Sequence, residues 1–228
     1  MTALTAPDLY WTGGPFRVSL QHPNHIPQKH VDKAITTLEA FRSDCQSHYC
    51  AFSGAINGRT LAYERFKPMM QSRTNMFSVG TGFPDSEQRP GKSTIAQMRQ
   101  GDLLDGLKPG GMFEDRHAKA FIVMIYHRWD EFFRDVIAES LSVEKSKVEC
   151  DLMGDVRHVR NAIIHHNSEI KQETLGKLEL LPRIWNLSVG ALSLSEGMLH
   201  SLMEQINAIY VRIADVSEEP PAPGTLRR

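Results

Sequence analysis

An all-α fold, a helical bundle with an additional, mainly helical N-terminal region, is predicted by three observations. Residues 114–141, "EDRHAKAFIVMIYHRWDEFFRDVIAESL", place Phe121, Ile122, Ile125, Tyr126, Trp129, Phe132, Phe133, Val136 and Ile137 on one arc of about 160° of a helical wheel. Near the C-terminus Leu199, Leu202, Ile206, Ile209 and Ile213 form a heptad-like stripe suited to packing on another helix. With 228 residues, 41% of them hydrophobic, the chain can fill one substantial core.

Residues 1–28 are rich in Pro, Gly and His and read as an irregular lead-in, partly ordered by Trp11 and Phe16. Residues 29–110 form the N-terminal helical region packing on the bundle. Its first helix spans 29–52, where Val31, Ile35, Leu38, Phe41, Cys45, Tyr49 and Phe52 lie near one face. "SGAINGR" (53–59) is expected to break that helix. A second helix over 60–78 is interrupted at Pro68, and 79–92 is a loop by composition. A short helix is expected from Ser93 to about Leu104, capped by Ser93 or Thr94, and "GLKPGG" (106–111) ends it. The bundle proper covers 111–215, with long helices at 114–141, 151–168 and 195–215. Asp151 is the expected cap of the middle one. The mixed stretch 171–192 offers a short extended element or a docking loop. Residues 216–228 form a polar, Pro-rich tail expected to be disordered.

A formal net charge of −1 gives no global argument for nucleic-acid binding, so any such surface must be local. The N-terminus lacks a basic segment followed by an apolar one, and the longest apolar run, "AFIVMIY" (120–126), is far too short to span a bilayer. Three cysteines make no disulfide framework, and a reducing cytoplasm is the expected location, without a membrane partner.

Two motifs are discounted. "PGKST" (90–94) resembles the end of a phosphate-binding loop, but Ser86 stands where the first glycine belongs and no buried strand precedes it. "CQSHYC" offers Cys45, His48 and Cys50, yet no second ligand pair closes a metal site, and Cys45 lies on an apolar stripe. His22, His25 and His30 read as solvated loop residues. Neither a metal nor another cofactor is expected.

The stretch that carries chemistry is "RHVRNAIIHHN" (157–167). On a helical wheel Val156, Val159, Ala162 and Ile163 share an apolar arc that also holds His166. Arg157, Arg160, Asn161, His158 and His165 lie on a broad polar arc on which Ile164 alone intrudes. Arg160 and His165 diverge by about 140° around the axis, so they cannot bracket one small atom from a single helix. A two-fold copy of the same helix would bring two arginines and two histidines to one cleft. Such a cleft suits an RNA phosphodiester. Arginine forks onto phosphate oxygens, while an imidazole can take a proton from a 2′-hydroxyl or give one to the leaving oxygen. The spacing alone is weak, because an Arg and a His five residues apart arise readily by chance, and a solvated polar face is the plain alternative.

"RNAIIH" (160–165) resembles the R-x4-6-H motif of the HEPN superfamily. "IVMIYHRWDEFF" (122–133) is similar to the helix that precedes the motif in that family, "DVRHVRNAIIHHNSEI" (155–170) to the motif helix, and 185–210 to the closing segment. The resemblance covers about 114–215 and is nearest to prokaryotic toxin–antitoxin and abortive-infection members. It implies a homodimer that, in the catalytic members, cleaves RNA without a metal, and it leaves open whether a cognate antitoxin protein is a further partner. Carried onto this chain, Arg160 contacts phosphate, His165 is the general acid/base and Asn161 orients. Asp130 or Glu131 is the acid that meets Arg160, with Arg157, His158 and His166 in support. Some members only bind RNA, nucleotide or a protein partner, and that reading stands as the alternative.

Overall fold

The computed structural model describes residues 18–23, 25–70, 72–80 and 94–214, and these are mostly helical. Helix α1 spans Gln28–Phe66 without interruption. The break expected at 53–59 does not occur. Gly54 and Gly58 lie on the exposed side, while the buried stripe of Val31, Leu38, Phe41, Cys45 and Phe52 continues through Ile56 and Arg59. Two glycines cost about 1 kcal/mol each in a helix interior, and burial of that stripe outweighs them. At 1.5 Å per residue α1 is roughly 58 Å long. A 3-10 turn at Lys67–Met69, containing Pro68, ends it.

Strands β2 (Met76–Gly80) and β3 (Thr94–Arg99) then pair antiparallel, with Met76 opposite Arg99. Two helical expectations fail here. Residues 76–78 are strand, and the helix placed over Ser93 to Leu104 begins only at Gln100. Thr94 is a ladder residue, and the residue before α2 (Gln100–Leu107) is Arg99. The 79–92 loop, Ser93 and the "PGKST" motif lie largely or wholly outside the described residues, as do the lead-in 1–17, with Trp11 and Phe16, and the tail from 215.

Helix α3 (Met112–Arg128) runs through a π-helical turn at Trp129–Phe133 into α4 (Arg134–Leu141). The Arg134 amide donates to the Trp129 carbonyl, five residues back. The π turn has a physical reason in the sequence. Ile125, Trp129, Phe133, Ile137 and Leu141 recur every four residues and are all buried. In a uniform α-helix that spacing drifts about 40° per step, and the wider π turn absorbs the drift. Phe132 pays for this in exposure: placed on the buried arc by the wheel, it is 49% exposed. The Arg128 guanidinium lies 5.4 Å from its ring centroid.

After a 3-10 turn (Lys145–Lys147) and β4 (Val148–Glu149) comes α5 (Asp151–His165). Cys150, not Asp151, occupies the cap position. Then follow β5 (Glu169–Ile170), α6 (Gln172–Leu175), α7 (Leu181–Trp185), β6 (Gly190–Ala191) and α8 (Glu196–Asn207). The last helix stops eight residues before the expected end at 215, and Tyr210–Ile213 form strand β7. Ile209, Val211 and Ile213 are buried at every second position, so strand spacing displaced the heptad reading there. β7 is the centre of a three-stranded sheet, parallel to β1 (Ser19–Gln21) and antiparallel to β4.

One core joins these parts. Phe41 of α1 packs on Trp129 and Phe133, each with ring centroids 5.2 Å away. α1 is therefore a central member of the bundle, in contact with α3, α4 and α8. A buried ion pair, Arg59 to Glu114 at 3.1 Å, ties α1 to the start of α3. The other Glu114 oxygen accepts the Glu196 amide, and Asp115 accepts that of Leu194, which fixes the entry to α8. No described helix is long and apolar enough to cross a membrane.

Candidate functional site

Helix α5 packs on α3 through Leu152, Met153, Val156, Val159 and Ala162, all buried, with Ile163 partly buried beside them. The apolar arc of the wheel is thus the face that the bundle covers. Asp151 stands in the first turn, where a carboxylate complements the helix dipole. The C-terminal end closes at His166, and Asn167 and Ser168 take left-handed φ values of 50° and 60°. The Ser168 amide returns to the Ala162 carbonyl at 3.0 Å, which terminates the helix just past His165.

The polar arc faces outward. Arg157 and His165 are exposed, Arg160, Asn161 and His158 are half-buried, and Ile164 is 44% exposed. Arg160 Nη1 donates to Asn161 Oδ1 at 3.0 Å, so the neighbouring amide orients the guanidinium. His165 has no hydrogen-bond partner among the described residues. Half-buried His166 sits at the helix end, and nearby Lys177, which bonds to Glu173, holds that carboxyl below its usual range.

On the covered side of α5 lies α3, which the π turn joins to α4. Asp130 is half-buried, while Glu131 is exposed to solvent. The Asp130 carboxylate is engaged by Arg134 Nη1 at 3.2 Å, and Arg134 Nε donates to the Val148 carbonyl at 3.0 Å. Neither Asp130 nor Glu131 bonds to Arg160. Tyr126 marks where the two helices meet. Burial and then the Asp130 charge push its phenol above the usual range, while Arg157, Arg134 and Arg160 pull it down. Tyr126 shares the lining of one groove with Arg134 and Arg157.

Beside Tyr126 a groove of about 320 Å³ opens between the π turn, β4, the first turns of α5 and residues 177–179. His158 lines it. Burial lowers its pKa below 6.5, Arg157 and Lys177 lower it further, and Asp155 opposes them.

Several of these residues escaped the sequence reading: Tyr126 was assigned only to the core, and Asp155, Arg134, Lys177 and Arg212 were given no role. Asp155 carried a signal, because it falls in the apolar arc of α5, where a carboxylate must be satisfied or expelled. It is 2% exposed and accepts the amides of Glu179, Leu180 and Leu181 at 2.7 to 3.1 Å. The others come from elements distant in sequence. Among the described residues no cluster of His, Cys, Asp and Glu could hold a metal ion. Cys45 is buried, and burial pushes its thiol far above the usual range. Compared with family models, curated proteins and solved structures, the chain matches none of them.

Proposed function

We propose that the chain is a metal-independent endoribonuclease of HEPN type. In this reading it acts in the cytoplasm as a toxin or phage-defence effector, with a composite site at a homodimer interface. The observation that carries the reading is the outward face of α5. Arg157, Arg160, Asn161 and His165 stand there together, and none of the three charged or titratable groups meets an acid among the described residues. Idle cations on one helix face favour a polyanion.

The chemistry follows from the residue types. Arg160, oriented by Asn161, holds the non-bridging phosphate oxygens and opposes the charge that grows on them as phosphorus becomes five-coordinate. One His165 takes the proton of the 2′-hydroxyl as its oxygen bonds to phosphorus. The imidazolium so formed gives its proton to the 5′-oxygen as the P–O5′ bond breaks. The products are a 2′,3′-cyclic phosphate and a 5′-hydroxyl. Because Arg160 and His165 diverge on one helix, a second copy of α5 supplies the facing pair. The exposed Ile164 beside His165 gives that face an apolar element for a second copy to cover.

One observation favours a second reading. The His165 imidazole lacks an orienting partner, as befits a non-catalytic module that binds RNA, a nucleotide or a protein partner such as an antitoxin. Incubation of purified protein with mixed cellular RNA in EDTA separates the two. Cyclic-phosphate ends that disappear in His165→Ala and Arg160→Ala support catalysis. Intact RNA with wild-type protein contradicts it, and undiminished cleavage by both variants moves the activity away from α5.

A further inference from the structure

The groove beside Tyr126 has no role in the chemistry above, and its lining is selective. Of its carboxylates, Glu149 and Asp151 are both bound to Arg212, at 2.8 and 2.9 Å. Asp155 is consumed by three backbone amides. Arg157 has no ion-pair partner among the described residues, and the adjacent His158 has none either. The remaining acid, Glu179, is exposed at the rim. Arg134 is paired with Asp130 and Lys177 with Glu173, so the free cation is the Arg157 guanidinium, with the His158 imidazole beside it as a hydrogen-bond donor. That suits a single phosphodiester, while the rim carboxylate repels a polyphosphate.

The floor is equally specific. Gly154 lies in the second turn of α5 and lines the groove, and a Cβ built there meets nothing within 4 Å. No packing contact accounts for a glycine that costs a helix about 1 kcal/mol. Its effect is to leave helix backbone bare beneath an open volume, with the half-buried Tyr126 ring as a wall. A flat ring can lie on such a floor, and a volume of about 320 Å³ is of the size that takes a small ligand. A planar group joined to one phosphate is a nucleotide unit, and aromatic walls beside cations are how proteins hold unpaired bases.

We propose that this groove holds one nucleotide of a single-stranded RNA, with its phosphate on Arg157 and His158 and its base over Gly154 against Tyr126. The proposal rests on the RNA reading of α5 and deepens it. Arg157 belongs to both surfaces, so a strand seated in the groove runs onto the Arg160 face.

The test is binding of a labelled 2′-O-methyl RNA decamer to the full chain, since that strand lacks the nucleophile and reports binding without cleavage. Gly154→Leu fills the floor with a good helix former, and Arg157→Ala removes an exposed cation. Each is expected to weaken binding about tenfold or more with the melting temperature maintained, and Arg157→Ala also to lower the salt dependence. Wild-type affinity in both variants overturns the proposal. So does binding of AMP without binding of the decamer, which would make the groove a free-nucleotide site. If His165-dependent cleavage is found while both variants bind normally, the groove assignment fails and the catalytic reading stands. If binding depends on Gly154 and Arg157 but no cleavage occurs, the groove stands and catalysis fails.

Discussion

On the inward face of α5, Asp155 is 2% exposed, and its two oxygens satisfy three amides at the start of α7. On the outward face Arg157 and His165 meet no partner among the described residues, and Arg160 meets only its neighbour Asn161. The two faces belong to one helix of 15 residues, yet they treat charge in opposite ways. Burial demands that a charge be fully spent, so Asp155 serves stability. Solvent tolerates an idle charge, so Arg157 and Arg160 stand on that face without an acid among the described residues, which is what the proposed RNA reading builds on.

Substitutions on each face sharpen that contrast. The largest effect belongs to His165→Ala, which should lower the cleavage rate by roughly 10²- to 10⁴-fold, the usual contribution of a general acid/base. Its unfolding free energy, read by urea titration, should stay within about 0.5 kcal/mol of wild type. A large loss of stability would mean that this residue serves the fold. Asp155→Ala should do the reverse. Leaving three amides without their acceptor, that of Leu181 buried and the other two part-buried, should cost about 3 kcal/mol in the same titration. A loss below about 1 kcal/mol would show that the 179–181 turn finds water instead.

The smallest effect concerns pH. His158 is held neutral in the folded state, first by burial and then by Arg157 and Lys177, so its folded pKa lies below the unfolded value of 6.5. Above pH 6.5 the imidazole is neutral in both states and stability is unaffected by it. As pH falls from 6.5 through the folded value, the unfolded chain takes up the proton first, and stability is lost. His158→Gln should flatten the stability profile in that window. An unchanged slope would assign the pH dependence to another group.

How much of this was legible beforehand depended on whether the information was local. The covered and open faces of α5 followed from residue spacing, since Val156 and Val159 fix the side that packs on α3. The long α3–α4 rod was equally plain, but its phase was not. Phe132 faces outward because a π turn answers to packing against Phe41, which lies some ninety residues earlier. Gly54 and Gly58 read as a break because local propensity cannot see the buried stripe that carries α1 past them. Ile209 and Ile213 fit both a heptad and a strand, and pairing with residues 19–21 decided between them. The groove was invisible, since Tyr126, Gly154, Lys177 and Arg212 meet only in the folded chain.

The central claim is that Arg160 of one copy of α5 works with His165 of another. Mixing Arg160→Ala and His165→Ala proteins, each inactive alone, tests it most directly. In a composite site the mixed dimer keeps one intact Arg–His pair, and an equal mixture exchanged to equilibrium should recover about a quarter of wild-type RNA cleavage. Confirmed mixed dimers that remain as inactive as either parent would contradict the claim.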